Sequence, residues 1–296
     1  MNIKAPKGTR DVLPRESYKW QYIERKFTEL AIQYGYGEIR TPTFESTSLF
    51  KRSVGETSDI VQKEMYTFDD LGGRSITLKP EGTSPAVRAF VCSTDVRSVN
   101  PIKYYYDTSC FRYENTQDGR FREFHQFGVE VFGSSSMLSD AEVIEFADRF
   151  LKLMGIDDLV LRINSVGCNE CRPIYRKALR DYLMPNFYKL SDDSKKRFET
   201  NPMRILDSKD ANDQDIVKNA PSIIDYLCDD CKKAFDEIKM LLDDMNIEYV
   251  IDTGIVRGLD YYTKTAFEFT SNKMGSQGTV CGGGRYDHLI KEIGGP

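Results

Sequence analysis

With 296 residues, 40% hydrophobic and 29% charged, the chain can bury a large core and has an ordinary globular composition, with room for one main domain and an insertion. A net charge of −5 offers no general attraction to nucleic acid, and seven cysteines do not make the even framework of a small secreted protein. No apolar run reaches the roughly 18 residues that span a bilayer, and the polar N-terminus carries no signal-peptide pattern, so a cytoplasmic location without membrane contact is expected.

The turn-rich lead KGTRDVLP, Lys7 to Pro14, opens into a helix over 15–34. Ile23, Phe27, Leu30, Ala31 and Tyr34 fall on one face of it, and Gly35 and Gly37 end it. Residues 38–45 read as a strand containing Pro42, which cannot donate to a ladder and so marks an edge or an interface. Met65–Asp70 and Ser75–Pro80 flank Leu71-Gly72-Gly73 as a hairpin. In KPEGTSPAVRAF, Thr83 or Ser84 caps a helix that has Pro85 in its first turn, and Glu81 lies just ahead on a turn flanked by Gly82. That pattern suits either a capped surface helix or a helix N-terminus offered to a ligand.

Lys103–Arg112 and Glu123–Phe132 read as two antiparallel strands, joined by the polar run Glu114–Arg122 with Asp118-Gly119 as its turn pair. In the second strand Phe127, Val129 and Val131 share one face, and Gln126, Gly128 and Glu130 share the other. At about 3.3 Å per residue, Gln126 and Glu130 stand roughly 13 Å apart with open floor at Gly128 between them. A solvated hairpin fits this pattern, and so does a polar ligand lying on bare backbone. Arg112, Arg120 and Arg122 bring forked donors that suit a polyphosphate.

Ser139-Asp140-Ala141-Glu142 reads as a capping box for a helix ending at Gly155, and Leu159–Asn164 as a strand. Residues 167–246 then turn polar and helical, an inserted α-helical domain between core segments 1–166 and 247–296. Within it, Lys195-Lys196-Arg197 suits a solvated face more readily than a nucleic-acid contact. Cys168 and Cys171, with Cys228 and Cys231, form two C-x-x-C pairs, whose spacing suits a structural zinc ion or four free thiols. VRGLDYYTKTAFEF leads into β-rich alternation, and GSQGTVCGGGRYD by itself is a glycine-rich loop before a short helix. Of the two histidines, His125 reads as packed beside Phe127 and His288 as exposed, so no nucleophile–base pair is evident.

FRYEN followed by GRFREFHQFGVEVFG closely resembles motif 2 of the class II aminoacyl-tRNA synthetases, in the form found in the histidyl-tRNA synthetases. The first helix and the Pro42 strand resemble motif 1, and PEGT resembles the amino-acid-contacting segment. RGLDYY and GGRYD are similar to the histidine-specific signatures, so the resemblance covers essentially the whole chain. It implies an α+β fold, an antiparallel β-sheet flanked by helices. It implies ATP- and magnesium-dependent activation of histidine, transfer to the 3′ end of tRNA(His), and a homodimer through the motif 1 segments. By the same resemblance, Arg112 and Arg257 act on the α-phosphate, with Arg257 also reaching the histidine carboxylate. Glu114, Arg120 and Phe124 complete ATP binding. Glu81, Thr83 and Gln126 hold the substrate amino group, and Glu130, Tyr261, Tyr262 and Tyr286 form the imidazole pocket. An imidazole has one donor and one acceptor, so a pocket pairing both rejects analogues that lack either.

The chain stops at Gly294–Pro296, before any motif 3 arginine or anticodon-binding domain, so a truncated catalytic part that binds ATP poorly is expected. The rival reading is a non-catalytic paralogue that senses histidine and regulates a biosynthetic enzyme. The presence of Arg112, Arg120, Arg257, Tyr261 and Tyr262 favours the enzyme.

Overall fold

Pro14 opens the first helix, α1 (Pro14–Gln33), at a position where a missing N–H costs nothing. Its predicted apolar face is the buried one, with Phe27, Leu30 and Ala31 inside, and Gly35 leaves it at φ +77°. In this computed structural model, residues 3–56, 58–97, 99–117, 119–259, 261–271, 273 and 278–296 are described. The chain divides into two compact units, Met1–Ser135 with Lys152–Met154 and His288–Pro296, and Ser136–Leu151 with Gly155–Asp287.

In the first unit the strand expected over 38–45 is two short pieces, β1 (Gly37–Glu38) and β2 (Phe44–Ser46). Pro42, which has no N–H to give a ladder, lies in the connection between them. Next come α2 (Thr47–Val54), β3 (Thr67–Asp69), β4 (Ser75–Leu78), α3 (Thr83–Cys92), β5 (Ile102–Phe111) and β6 (Glu123–Phe132). β3 and β4 form the expected hairpin, whose turn is tied by the Asp70 carboxylate accepting from the Gly72 and Arg74 amides. β2, β4 and β3 make one antiparallel sheet. The second sheet runs β1-β5-β6, with β1 parallel to β5 and a ten-residue antiparallel ladder from β5 to β6. Of the turn pair between β5 and β6, Gly119 has φ +78°, and Asp118 lies outside the described residues.

The second unit holds α4 (Met137–Leu153, its last residues counted with the first unit), β7 (Leu159–Ser165), α5 (Cys171–Leu183), α6 (Asp192–Thr200), α7 (Ala211–Val217), α8 (Asp229–Asp244), β8 (Tyr249–Ile251), β9 (Thr263–Ser271) and β10 (Thr279–Arg285). The last helix, α9 (Leu289–Ile293), belongs to the first unit. The sheet order is β10-β9-β7-β8, antiparallel except for the β7–β8 pair. Two findings depart from expectation. α4 starts at Met137, two residues before the predicted cap, and Asp140 turns inward to pair with Arg285 at 2.7 Å. Most of the glycine-rich stretch is no loop: Thr279–Arg285 is a strand laddered to β9, and Gly275 to Gln277 lie outside the described residues.

Residues 167–246 contain only α-helices and 3-10 turns among their described elements. Composition divides the chain by element type, whereas the compact units divide it elsewhere. Phe235, Ile238 and Leu242 of α8 share a core with Leu161 and Ile163 of β7 and Phe267 and Phe269 of β9. A second apolar cluster, including Tyr175, Leu179, Phe198 and Ile205, lies among the helices.

One close approach in the first unit shapes the β5–β6 hairpin. Tyr106 stands opposite Gly128 in the β5–β6 register, and a Cβ on Gly128 would fall 2.2 Å from its ring. A Cβ on Gly82 would meet the same ring, also at 2.2 Å. The open floor expected between Gln126 and Glu130 is therefore covered by an aromatic ring, because a long strand partner fills space that a glycine leaves. Gly128→Ala is expected to cost about 1–3 kcal/mol by overpacking, read as a lower urea midpoint. The Tyr106→Ala, Gly128→Ala double variant should lose less than the sum of its singles. An unchanged midpoint for Gly128→Ala would mean that the ring moves aside without penalty.

Candidate functional site

In the first unit the predicted histidine-binding residues Glu81, Thr83, Gln126 and Glu130 are brought together around Tyr106. The Tyr106 hydroxyl donates to Glu130 Oε1 at 3.0 Å and lies 3.5 Å from Thr83 Oγ1. Gln126 Oε1 accepts from the Gly82 amide at 2.7 Å and from the Cys110 thiol at 3.5 Å. Glu81 has a duty the sequence did not reveal. Its two oxygens accept from the Thr83 and Ser84 amides at 2.7 and 2.8 Å, capping α3 from the residue before Gly82. Thr83 and Ser84 are thus the capped residues and not the cap.

Burial pushes the Tyr106 hydroxyl well above its ordinary range, and the charges of Glu130 and Glu81 add to the effect. It stays a neutral donor. Burial likewise pushes the Cys110 thiol up to about 12, with the Glu81 charge reinforcing it, so the thiol is a donor and no nucleophile. Glu81 and Glu130 are 1% and 5% exposed, so each buried carboxylate needs the donors it receives. His125 is exposed, though it packs edge-on to Trp20 at 4.7 Å and approaches Asp107 at 3.3 Å.

The predicted ATP-binding residues lie in the same unit at the mouth of the hairpin. Arg112 Nε donates to the Pro80 carbonyl at 2.8 Å, and its guanidinium lies 5.2 Å from the centre of the Phe124 ring. Glu114 sits beside both cations, 2.7 Å from Arg120 and 4.0 Å from Arg112. Arg122 donates through Nε to the Glu114 carbonyl at 3.2 Å and stacks over Tyr113 at 3.7 Å. Its backbone amide donates to the Gly8 carbonyl at 2.7 Å, and a Cβ on Gly8 (φ +86°) would fall 2.5 Å from its side chain. That places the KGTR lead against the hairpin and gives Arg122 a packing role.

In the second unit Arg257 adopts φ +58°, unusual for a residue with a side chain. Its guanidinium pairs with Glu268 at 2.5 Å and lies 5.4 Å from the Tyr262 ring centre. Burial alone would lower the Arg257 pKa, but the neighbouring Tyr262 and Glu268 outweigh it and hold the pKa above the ordinary arginine value. Its Nε is buried without a hydrogen-bond partner among the described residues. Tyr261 lies against Tyr262 at 4.7 Å and against Tyr286 at 5.8 Å, so three predicted pocket residues form one aromatic group. Asp260 of the RGLDYY stretch lies outside the described residues.

The glycines of β10 make room for this group. A Cβ on Gly282 would meet Arg257 Nη1 at 2.5 Å, one on Gly283 the Phe267 ring at 2.9 Å, and one on Gly284 the Thr265 carbonyl at 2.3 Å. Sequence reasoning missed Tyr106, Glu268, Arg204 and Arg172. Arg204 donates to the Arg257 carbonyl at 2.6 Å, and Arg172 donates to the Tyr262 carbonyl. Only Tyr106 left a signal, as the aromatic residue opposite a glycine in a predicted hairpin. The fourth predicted group also assembles in this unit: the sulfurs of Cys168, Cys171, Cys228 and Cys231 lie within 4.8 Å of one another.

The family pattern described as "Histidyl-tRNA synthetase" matches residues 8–296. A histidine–tRNA ligase of Caldanaerobacter subterraneus subsp. tengcongensis is 58% identical over 296 residues, covering 100% of this chain and 71% of the relative. One from Clostridium botulinum is 56% identical over the same residues and is covered to 70%. Among solved structures, apo histidyl-tRNA synthetase of S. aureus superposes with a TM-score of 0.79 at 42% identity, covering 100% of this chain and 69% of that one. A Bacillus halodurans structure described as an ATP phosphoribosyltransferase regulatory subunit/histidyl-tRNA synthetase gives 0.71 at 26% identity, covering 100% of this chain and 79% of that one. The predicted site residues of both units stand within that matched span, and the chain belongs to the histidyl-tRNA synthetase family.

Proposed function

We propose that the chain activates histidine with magnesium-bound ATP and passes it to the 3′ end of tRNA(His), in the cytoplasm. The observation that carries the reading is Arg257: a charged guanidinium with a buried, unpartnered Nε among the described residues, within a histidine-specific signature. The histidine carboxylate attacks the α-phosphorus, forming the acyl phosphate bond as the bond to magnesium pyrophosphate breaks. The terminal ribose hydroxyl of the tRNA then attacks the carbonyl, loses its proton and expels AMP. The first step joins two anions and needs no proton transfer. Arg112 and Arg257 serve as fixed cations for the charge that gathers at phosphorus. Phe124 stacks on adenine, Glu114 meets its amino group, and Arg120 reaches the terminal phosphates. Glu81, Thr83 and Gln126 take the substrate ammonium. Glu130 faces an imidazole N–H, with Tyr261, Tyr262 and Tyr286 around the ring.

A regulatory, histidine-sensing role is the competing reading, favoured by the description of the Bacillus halodurans neighbour. The two readings separate on chemistry. In the full-length protein, Arg257→Ala should slow adenylate formation about a hundredfold to a thousandfold, more than it weakens ATP binding. Arg257→Lys should recover only part, since a point charge cannot span carboxylate and phosphate. Single-turnover adenylation at saturating histidine and ATP measures this. Wild-type protein that binds histidine but forms no adenylate would favour the regulator.

Glu130→Gln keeps the size of the side chain but removes its charge. Histidine affinity measured by calorimetry should fall about tenfold to a hundredfold, the equivalent of roughly 1.5–3 kcal/mol for a charged hydrogen bond. Unchanged affinity would take Glu130 out of the pocket.

A homodimer through α1 and residues 38–45 completes the reading. Its support is apolar exposure: Tyr18, Tyr22 and Ile32 of α1 and Phe44 of β2 are all exposed. Sedimentation should give a dimer for the wild type and a shift to monomer for Phe44→Glu. A wild type that sediments as a monomer at micromolar concentration removes the interface.

A further inference from the structure

The cysteine cluster is absorbed by neither half of the proposed reaction, yet it has the geometry of a built site. We infer that Cys168, Cys171, Cys228 and Cys231 bind one structural zinc ion as a closed tetrathiolate. With zinc–sulfur bonds of about 2.3 Å, a tetrahedron has sulfur–sulfur edges of roughly 3.8 Å. Cys168 lies 3.6 Å from Cys171 and 3.8 Å from Cys228, and all four sulfurs lie within 4.8 Å of one another. Two disulfides would need pairs near 2.05 Å, and all four cysteines are free.

The backbone supports the same assignment. Gly167, at φ +65°, turns the chain so that Cys168 folds back on Cys171, and a Cβ there would fall 2.8 Å from Cys171 Cβ. Cys171 is the first residue of α5, while Cys228 occupies the N-cap position of α8 and Cys231 lies in its first turn. Each C-x-x-C pair therefore sits at a helix N-terminus, where amide dipoles favour the net negative charge of four thiolates around a dication. The Cys228 amide points at Cys171 Sγ at 3.1 Å and the Glu170 amide at Cys168 Sγ at 3.4 Å, the N–H···S contacts that thiolates accept.

Cys171 and Cys231 are buried, while Cys168 and Cys228 are half-buried, so the metal has an entry path on one side. The candidate ligand set contains cysteine alone, four donors with no open position, which suits a structural role and not a catalytic one. As one Zn²⁺ enters, four thiols release four protons and four sulfur–zinc bonds form. The ion would tie the start of α5 to the start of α8, closing the intervening helical segment. Arg172, next to Cys171, donates to the Tyr262 carbonyl, so the staple also fixes the base of the second unit's aromatic group.

The test uses tag-free, full-length protein purified under reducing conditions. Elemental analysis should give about one zinc per chain, lost in Cys228→Ser and retained in Cys92→Ser, a cysteine outside the cluster. Cobalt exchanged into the wild type should show sulfur-to-metal charge transfer and the intense visible bands of a tetrahedral thiolate site. This readout holds even where Cys228→Ser fails to fold. Chelation should lower the thermal midpoint by about 5 °C or more. Protein free of zinc with all four thiols open to titration overturns the inference. So do iron in place of zinc, zinc retained in Cys228→Ser, and a weak octahedral cobalt spectrum.

Discussion

Everything in the first unit's candidate site depends on one buried aromatic side chain having somewhere to lie. Tyr106 crosses from β5 over Gly128 of β6 and beneath Gly82, and a methyl group at either glycine would collide with it. That placement brings its hydroxyl to Glu130 and within reach of Thr83, so one ring joins the PEGT turn to the far end of the motif 2 strand. The hydroxyl can do this only as a donor. Burial first, then the charges of Glu130 and Glu81, keep its proton on throughout the physiological range. The Glu81 carboxylate is fixed in turn by the two amides it caps, so the acidic groups sit in set orientations instead of sampling rotamers.

The second unit uses glycine for the same purpose in a different setting. Three successive glycines in β10 leave room for Arg257, Phe267 and the β9 backbone, which a strand with side chains would push away. Arg257 pays for its position in backbone conformation, since a non-glycine residue at positive φ is sparsely populated and must be held by its surroundings. Arg204 holds the carbonyl and Glu268 holds the guanidinium.

Much of this architecture was readable from pattern. The apolar stripe of α1, the β3–β4 hairpin and the ten-residue β5–β6 ladder follow from periodicity and turn residues, which are local properties. The two C-x-x-C pairs were legible as a set, though only folding brings residues 57 apart in sequence into contact. What pattern missed was set by distant partners. Asp140 reads as an interior position of a capping box, but Arg285 and Thr265 claim it from strands far along the chain. The β10 glycines look like a loop because their β propensity is low, and it is the packing of Arg257 and Phe267 that demands them in a strand. Glu81 looked free for a ligand because no sequence rule places a helix cap two residues ahead of the helix.

The electrostatics also explain how an acidic protein can present several arginines to anionic substrates on the proposed reading. Each candidate cation is matched with a carboxylate: Glu114 lies beside both Arg112 and Arg120, and Glu268 beside Arg257. A shared carboxylate screens the repulsion between Arg112 and Arg120, whose convergence would otherwise oppose folding. At Arg257 it offsets the cost of burying a charge. Such pairs leave little positive potential to attract polyanions at random, consistent with the net charge of −5. A phosphate that displaces the carboxylate from a guanidinium exchanges one charged hydrogen bond for another, so its net gain over the pair is small. Discrimination then falls to groups that the internal carboxylates do not satisfy. The buried Arg257 Nε is one such group among the described residues, and a ligand that reaches it gains a hydrogen bond without breaking one within the protein.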